Sequence, residues 1–261
     1  MKTVFKNISL GIVLLLNFAC SSDGDSPTEI TTPSNPAIAN QQEVGSSAND
    51  ILAANTYTSL SVEIIYVQGF EPTQTAINNF MSFLEERTYK PDGISTTLTA
   101  IESPGNMSYT LDDIAALEQT HRMNYNTESE VVIWAFFADA PSANNTETSV
   151  VLGTAYRNTS FVIFQETIQE LSNGPLEPSR SVLETTVITH EFGHLLGLTN
   201  LGTPLQSNHE DAAHPKHCDV ENCLMFWSAE TGAGISNMVS GGSAPQLDAQ
   251  CIADLQANGG R

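Results

Sequence analysis

Residues 179–200 read SRSVLETTVITHEFGHLLGLTN, and this stretch predicts the central element of the fold. Residues 179–198 have the length and composition of one long helix. Ser181 and Glu184 match a capping box, in which two side chains satisfy backbone N–H groups at a helix start. Gly197 predicts the end of the helix, because glycine adopts the left-handed closing turn at little cost.

Two histidines, His190 and His194, lie one helical turn apart in this stretch and therefore point the same way. Two imidazoles placed in this manner can bind one metal ion, and the pattern is typical of zinc. Glu191 follows the first histidine, close enough to hold a metal-bound water and take its proton. Zinc lowers the pKa of such a water to about 7, so the motif predicts metal-assisted hydrolysis. The alternative interpretation is a buried pair of structural histidines.

The run from His190 to Gly197 resembles the motif of the metzincin zinc metallopeptidases. In that family the glycine turns the chain, and a third histidine three residues later completes the zinc site. Asn200 stands at this position here, and a neutral amide oxygen is a poor zinc ligand. A residue further along the chain must therefore supply the third ligand.

His217 is the predicted third ligand, because the segment His217–Met225 resembles that of the archaemetzincins. In those proteins a histidine precedes a cysteine, four residues intervene, and a second cysteine and a methionine follow; this chain has the same spacing. His209 is the next candidate and His214 the last. Asp211 stays open as well, because some zincins use an aspartate.

The same resemblance implies that Met225 forms a hydrophobic floor beneath the zinc without binding it. Residues 199–216 would then be an insertion between the glycine turn and the third histidine.

The resemblance also implies a substrate cleft beneath an edge strand. Its candidate here centres on Gly153, Thr154 and Ala155, whose main chain would pair with an extended peptide.

The folded part of the chain contains three cysteines, Cys218, Cys223 and Cys251. Export favours oxidation, so we expect a Cys218–Cys223 disulfide and a buried free thiol at Cys251. Archaemetzincins carry four cysteines that hold a second zinc. The resemblance therefore leaves open a structural zinc on the three cysteines together with His214.

The N-terminus resembles a bacterial lipoprotein signal over residues 1–19. Lys2 and Lys6 precede an apolar run, residues 8–18, that is too short to span a bilayer as a mature helix. Cleavage would leave Cys20 as a lipid-modified N-terminus. We therefore expect an exported protein, lipid-anchored at the bacterial cell envelope on the outer membrane or cell surface; a plain secretory signal is the alternative.

The chain is strongly acidic, with 30 acidic and 9 basic residues and a net charge of −21. Such a surface repels nucleic acid and anionic lipid headgroups, which excludes both as substrates. Residues 20–50 are polar and predict a flexible tether. Residues 51–261 then form one domain, with an upper subdomain at 51–197 and a lower one at 198–261.

Strands and helices alternate in the first part of this domain, which predicts a partly parallel sheet with crossover helices. With the resemblance, the expected fold is α+β and metzincin-like: a mixed twisted sheet, an active-site helix and a small C-terminal subdomain ending in a helix. The predicted strands are 60–67, 93–101, 130–139, 149–156 and 160–168, and the other predicted helices are 73–88, 110–125 and 244–257.

The resemblance implies a zinc-dependent endopeptidase in which Glu191 is the general base. The alternative is a non-catalytic surface lipoprotein that binds protein or glycan and keeps the zinc as a structural staple. An intact Glu191 argues against this alternative, since a staple needs no general base. A hydrolase of non-peptide amides would use the same zinc chemistry.

Overall fold

The computed structural model describes residues 36–231 and 242–261, and its centre is one five-stranded mixed sheet with the order β2-β1-β3-β5-β4. Four strands run parallel, and β4 lies antiparallel to β5 at one edge. This confirms the predicted α+β class and the partly parallel sheet. The strands are β1 Ser59–Val67, β2 Ile94–Ile101, β3 Glu130–Phe137, β4 Gly153–Arg157 and β5 Ser160–Ile163.

Seven α-helices and one 3₁₀ helix surround the sheet in the described part of the chain. None of them combines the length and the apolar character that crossing a bilayer requires. They are α1 Pro36–Ala39, α2 Ala48–Leu52, α3 Gln74–Arg87, α4 Leu111–His121, α5 Gln165–Glu170, α6 Arg180–Leu195, the 3₁₀ helix Trp227–Glu230 and α7 Ala249–Ala257.

Strand β3 is apolar and buried from residue 131 to residue 137, as expected for a strand covered on both faces of the sheet. Ile133 and Phe137 face one core with α3 and α6, whereas Trp134 and Phe136 face a second core. Helix α6 is held against α3 by Phe192, whose ring meets that of Phe80 edge-on at 5.2 Å. An aromatic pair of this kind contributes about 1 kcal/mol beyond area burial.

Helix α6 begins at Ser179, whose hydroxyl accepts from the Val182 N–H. The predicted capping box on Ser181 and Glu184 is therefore wrong. Glu184 is fully buried, and its carboxylate instead accepts from the Thr73 N–H at 2.9 Å. A buried carboxylate must accept hydrogen bonds from nearby donors. Here the donor is Thr73, the N-cap residue of the neighbouring helix α3.

Two predicted elements end earlier than their sequence patterns indicate. Helix α4 stops at His121 because the Arg122 guanidinium turns inward to the Val132 carbonyl, at 2.7 Å. The main-chain N–H of Met123 donates to the buried carboxylate of Glu63. The strand predicted at 160–168 ends at residue 163, and the chain continues into α5, which the sequence reading missed.

The tether predicted at 20–50 is wrong for residues 36–50, which form α1 and α2 and contact the domain. Asn40 is fully buried, and its amide donates to the Asn126 and Thr159 side chains at 2.8 and 2.9 Å. Gly45 has φ +80°, and any side chain there would meet the Leu201 carbonyl. The polar composition hid this contact, since the buried polar side chain is Asn40, whose hydrogen bonds are satisfied. The signal segment 1–19, Cys20 and the rest of the predicted tether lie outside the described residues.

Candidate metal centre

Helix α6 brings the His190 and His194 side chains together on one face. Their Nε2 atoms are 3.2 Å apart, and the rings meet edge-on. The His190 Nδ1 lies 2.7 Å from the Leu224 carbonyl, so this nitrogen donates its proton. That hydrogen bond fixes the tautomer and leaves Nε2 with a free lone pair, as metal-binding histidines require.

The structure places His217, and none of the other candidates, beside these two histidines. Its ring lies 5.3 Å from that of His190 and 5.1 Å from that of His194. Its buried Nε2 has no hydrogen-bond partner in the described part of the chain. His214 instead stacks on Trp227 at 4.3 Å, with Nδ1 2.7 Å from the Asp211 carboxylate.

Burial makes the histidines suitable as metal ligands. It lowers the pKa of His194 to about 4, with Glu230 opposing the shift. The imidazole is therefore neutral at pH 7, which is the form that binds metal. Three converging Nε2 atoms, one of them an orphaned buried nitrogen, fit a zinc ion with a histidine-rich site.

Glu191 stands between this site and the edge strand. Its Oε2 accepts from the Ala155 N–H of β4 at 2.7 Å, and its buried Oε1 has no partner among the described residues. Burial, and then the negative charge of Glu230, raise the pKa of Glu191, while the Ala155 N–H opposes this. A carboxylate with a raised pKa and one free oxygen is well placed to accept a proton.

Two glycines allow the close contacts around the site. A Cβ atom on Gly193 would lie 2.3 Å from the sulfur of Met225, which is fully buried beneath α6. A Cβ atom on Gly153 would lie 2.7 Å from Cγ of Glu191. The methionine therefore contacts the helix between the two histidines, and β4 lies directly against the glutamate. The resemblance to metzincins predicted Met225 beneath the metal site and an edge strand beside it.

A cavity of about 180 Å³ opens over the site. Thr154 and Ala155 of β4 line one side of it, and Leu201 and Lys216 of the predicted insertion line another. Val44, from the segment expected to be a tether, also reaches it. The insertion and the N-terminal segment therefore narrow the space in front of the metal site.

A second cluster forms from the three cysteines and His209. Cys223 and Cys251 have their sulfurs 3.6 Å apart, and His209 Nδ1 lies 3.5 Å from the sulfur of Cys218. The expected Cys218–Cys223 disulfide is absent, because all three described cysteines are free thiols. His209, and not His214, completes the group, and its Nε2 is 2.8 Å from the Asp254 carboxylate.

Three contacts in this cluster approach the spacing around a tetrahedral ion: 3.5 Å for His209–Cys218, 3.6 Å for Cys223–Cys251 and 4.0 Å for His209–Cys251. Asp248, whose carboxylate lies 3.7 Å from the Cys218 sulfur, is a further candidate ligand. Ligand bonds of about 2.3 Å to sulfur and 2.0 Å to nitrogen place neighbouring ligands roughly 3.5–3.8 Å apart. The His209–Asp254 contact is the carboxylate–histidine pairing that orients a metal-bound imidazole. Hydrogen bonds with Cys218 and then Cys251 lower the pKa of Cys223 to about 4, which favours the thiolate. The donor set therefore fits a structural zinc ion.

Comparison with known proteins finds structural relatives only. No protein-family model and no curated protein matches the chain. Among 23 matching solved structures is archaemetzincin from Methanopyrus kandleri, with a TM-score of 0.48, 18% identity, and coverage of 77% of this chain and 96% of that one. Another is metalloproteinase-II from Bacteroides fragilis, with a TM-score of 0.43, 13% identity, and coverage of 78% of this chain and 54% of that one. Similarity at this level leaves the function to be inferred from the chain's own residues.

The sequence reading missed Glu230 as a member of the site. Its Oε2 lies 3.6 Å from Nε2 of His190 and 3.7 Å from Nε2 of His194, and its Oε1 lies 3.3 Å from Nε2 of His217. Burial would raise the pKa of Glu230, but its contacts with these histidines lower it. No motif spacing marks this residue, since it enters the site from the 3₁₀ helix that follows Met225.

Proposed function

We propose that the chain is a zinc-dependent endopeptidase. The observation that carries this proposal is the convergence of three imidazole Nε2 atoms with the free oxygen of Glu191 directly beneath an edge strand. A structural zinc site needs neither a buried carboxylate with a free oxygen nor an adjacent strand edge. Both are the features that hydrolysis of an extended peptide requires.

His190, His194 and His217 would hold the ion, which supplies a Lewis acid for the scissile carbonyl and lowers the pKa of water. Glu191 then performs the proton transfers. Its Oε1 accepts a proton from the attacking water and returns it to the leaving amine. The Ala155 N–H fixes Oε2, so the carboxylate keeps Oε1 directed to the reacting water.

Strand β4 would orient the substrate. It forms the edge of the sheet next to β5, so its outer side is available for main-chain hydrogen bonds with an extended peptide. The narrow cavity over the site favours an extended chain over a folded loop. The expected partner is therefore a peptide, or an unfolded segment of a protein.

The test of this function is a comparison of full-length wild type with Glu191→Gln. We expect the variant to keep its zinc and to lose cleavage of a broad peptide library by a factor of about 10²–10⁴, the usual contribution of a general base. Glu221→Gln, at an exposed position, is the matched control and should cleave as wild type does. Zinc binding without any cleavage by wild type would favour the non-catalytic binding lipoprotein instead.

We also propose a second, structural zinc ion on Cys218, Cys223, Cys251 and His209. Its support is the close approach of these groups, with contacts of 3.5, 3.6 and 4.0 Å, and their burial. A closed site of this kind contributes to folding and takes no part in the reaction. It would tie the loop that carries His217 to the C-terminal helix α7, since His217 directly precedes Cys218.

Membrane attachment through a lipid on Cys20 is a further part of the proposal, based on the sequence pattern of residues 1–22. It would hold the peptidase at the outer membrane or the cell surface. Expression in a bacterium with a labelled fatty acid should give a labelled, membrane-bound protein. The Cys20→Ala variant should carry no label and should leave the membrane fraction.

A further inference from the structure

The carboxylate of Glu230 lies beside the three histidines of the metal site. Its two oxygens lie 3.3–3.7 Å from the Nε2 atoms of His190, His194 and His217, and the first two of these atoms are themselves 3.2 Å apart. Ligands bound at about 2.0–2.1 Å to a tetrahedral zinc ion are separated from one another by about 3.3 Å. The Glu230 contacts and the His190–His194 distance are close to this separation, and one ligand atom from each of the four residues lies within 4.8 Å of the others.

We propose that Glu230 is a fourth protein ligand of the zinc ion and that the resting enzyme holds a closed metal site. This inference rests on the proposed function, since it needs zinc at the three histidines. A catalytic zinc site keeps one position for water, whereas a structural site fills all four with side chains. Glu230 occupies the position that water needs, so it must move away before a peptide can be cleaved.

The backbone around Glu230 is fixed, but its side chain has room to leave. Its carbonyl accepts from the Leu152 N–H at 2.9 Å, just before strand β4, and the following residue pairs with Val151. The side chain is 27% exposed and lines the cavity over the site, so a rotation toward the cavity breaks no core contact. The ligand exchange is balanced, because one carboxylate oxygen leaves the ion and one water replaces it.

The position of Glu230 next to β4 suggests what triggers this exchange. A peptide that pairs with Thr154 and Ala155 enters the cavity that the Glu230 side chain also lines. The scissile carbonyl would then compete with Glu230 for the metal. Substrate binding would thus open the site, and the ion would be protected from water in its absence.

Water-proton relaxation measured on the full chain with cobalt in place of zinc tests the assignment directly. A paramagnetic ion relaxes solvent protons strongly only where it binds an exchangeable water. Cobalt in the cysteine cluster has four protein ligands and gives the same background in each variant. The double variant His190→Ala/His194→Ala, which removes two of the four proposed ligands, measures that background.

We expect wild type and the control Glu221→Gln to match the background, and Glu230→Gln to exceed it about twofold, as one water enters the coordination sphere. Glu230→Asp, which keeps the charge but is one methylene shorter, should show the same rise. The aspartate variant keeps the test valid where the glutamine variant folds poorly.

A bound-water signal of equal size in wild type and Glu230→Gln would overturn the assignment of Glu230 and leave the proposed function standing. It would mean that the carboxylate only faces the metal-bound water. Cobalt content no higher in wild type than in the double variant His190→Ala/His194→Ala would overturn both proposals, because no ion would then occupy the histidine site.

Discussion

The two metal-binding clusters start from adjacent residues, His217 and Cys218, yet they have opposite designs. The histidine site faces a cavity, an edge strand and the unpaired oxygen of Glu191. The cysteine cluster is buried, with His209 and Cys218 both 0% exposed. Imidazole ligands beside a cavity suit a catalytic metal ion, whereas cysteine ligands in a buried cluster suit a structural one.

The largest expected effect is on zinc content and cleavage when a histidine of either cluster is replaced by alanine. His217→Ala should lose one of two zinc ions and reduce cleavage by about a thousandfold, or about 4 kcal/mol of transition-state stabilisation. His209→Ala should lose the other ion, and His214→Ala should keep both. Zinc analysis and peptide cleavage on the three variants provide the comparison. Two ions retained in His217→Ala would mean that His190, His194 and Glu230 hold the ion of the histidine site without His217.

An effect of similar size, on stability instead of activity, should show that the cysteine cluster supports the fold. In a His190→Ala background, where only this ion remains, zinc at a thousandfold excess over its dissociation constant should add about 4 kcal/mol to the free energy of unfolding. Cys223→Ser should abolish that increment because one thiolate is lost. Urea unfolding with and without a chelator measures it. An unchanged zinc effect in the serine variant would mean that the cluster binds no ion.

The smallest effect concerns the floor beneath the histidine site. Alanine in place of glycine inside a helix usually stabilises a protein by about 0.5–1 kcal/mol. Gly193→Ala should do the opposite and cost about 1–3 kcal/mol, because its methyl group overlaps the Met225 sulfur. In a Met225→Ala background, Gly193→Ala should instead increase the free energy of unfolding, as this substitution usually does inside a helix. Unfolding curves of the four proteins in this cycle give the coupling, and its absence would show that the two residues do not touch.

Parts of the fold with regular hydrophobic periodicity could be predicted from the sequence. The strand at 60–67 and the helices at 73–88 and 179–198 were predicted within a few residues of their observed bounds. The predictions of the capping box and of the full extent of the tether were wrong for a different reason. Glu184 and Asn40 are polar residues that are buried with distant partners, and local patterns carry no information about such partners.

The cysteine pairing shows the same limit. Export favours a disulfide, and nothing in the spacing of Cys218 and Cys223 excludes one. The structure instead brings Cys251 and His209 to the same point, from α7 and from the insertion, which makes a four-ligand cluster. Which histidine joins three cysteines depends on the path of the insertion, and that path is decided by packing.

The sequence by itself determined the pair of histidines, the glutamate between them and the helix that carries them, because residues four apart on a helix must share a face. It also indicated His217, through its spacing to the following cysteines and methionine. Only the tertiary structure decided that Glu230 reaches the same point and that His209 joins the cysteines. Glu230 ends a single-turn 3₁₀ helix and His209 lies in an irregular segment, and the paths of both depend on contacts with distant parts of the chain and not on a local period.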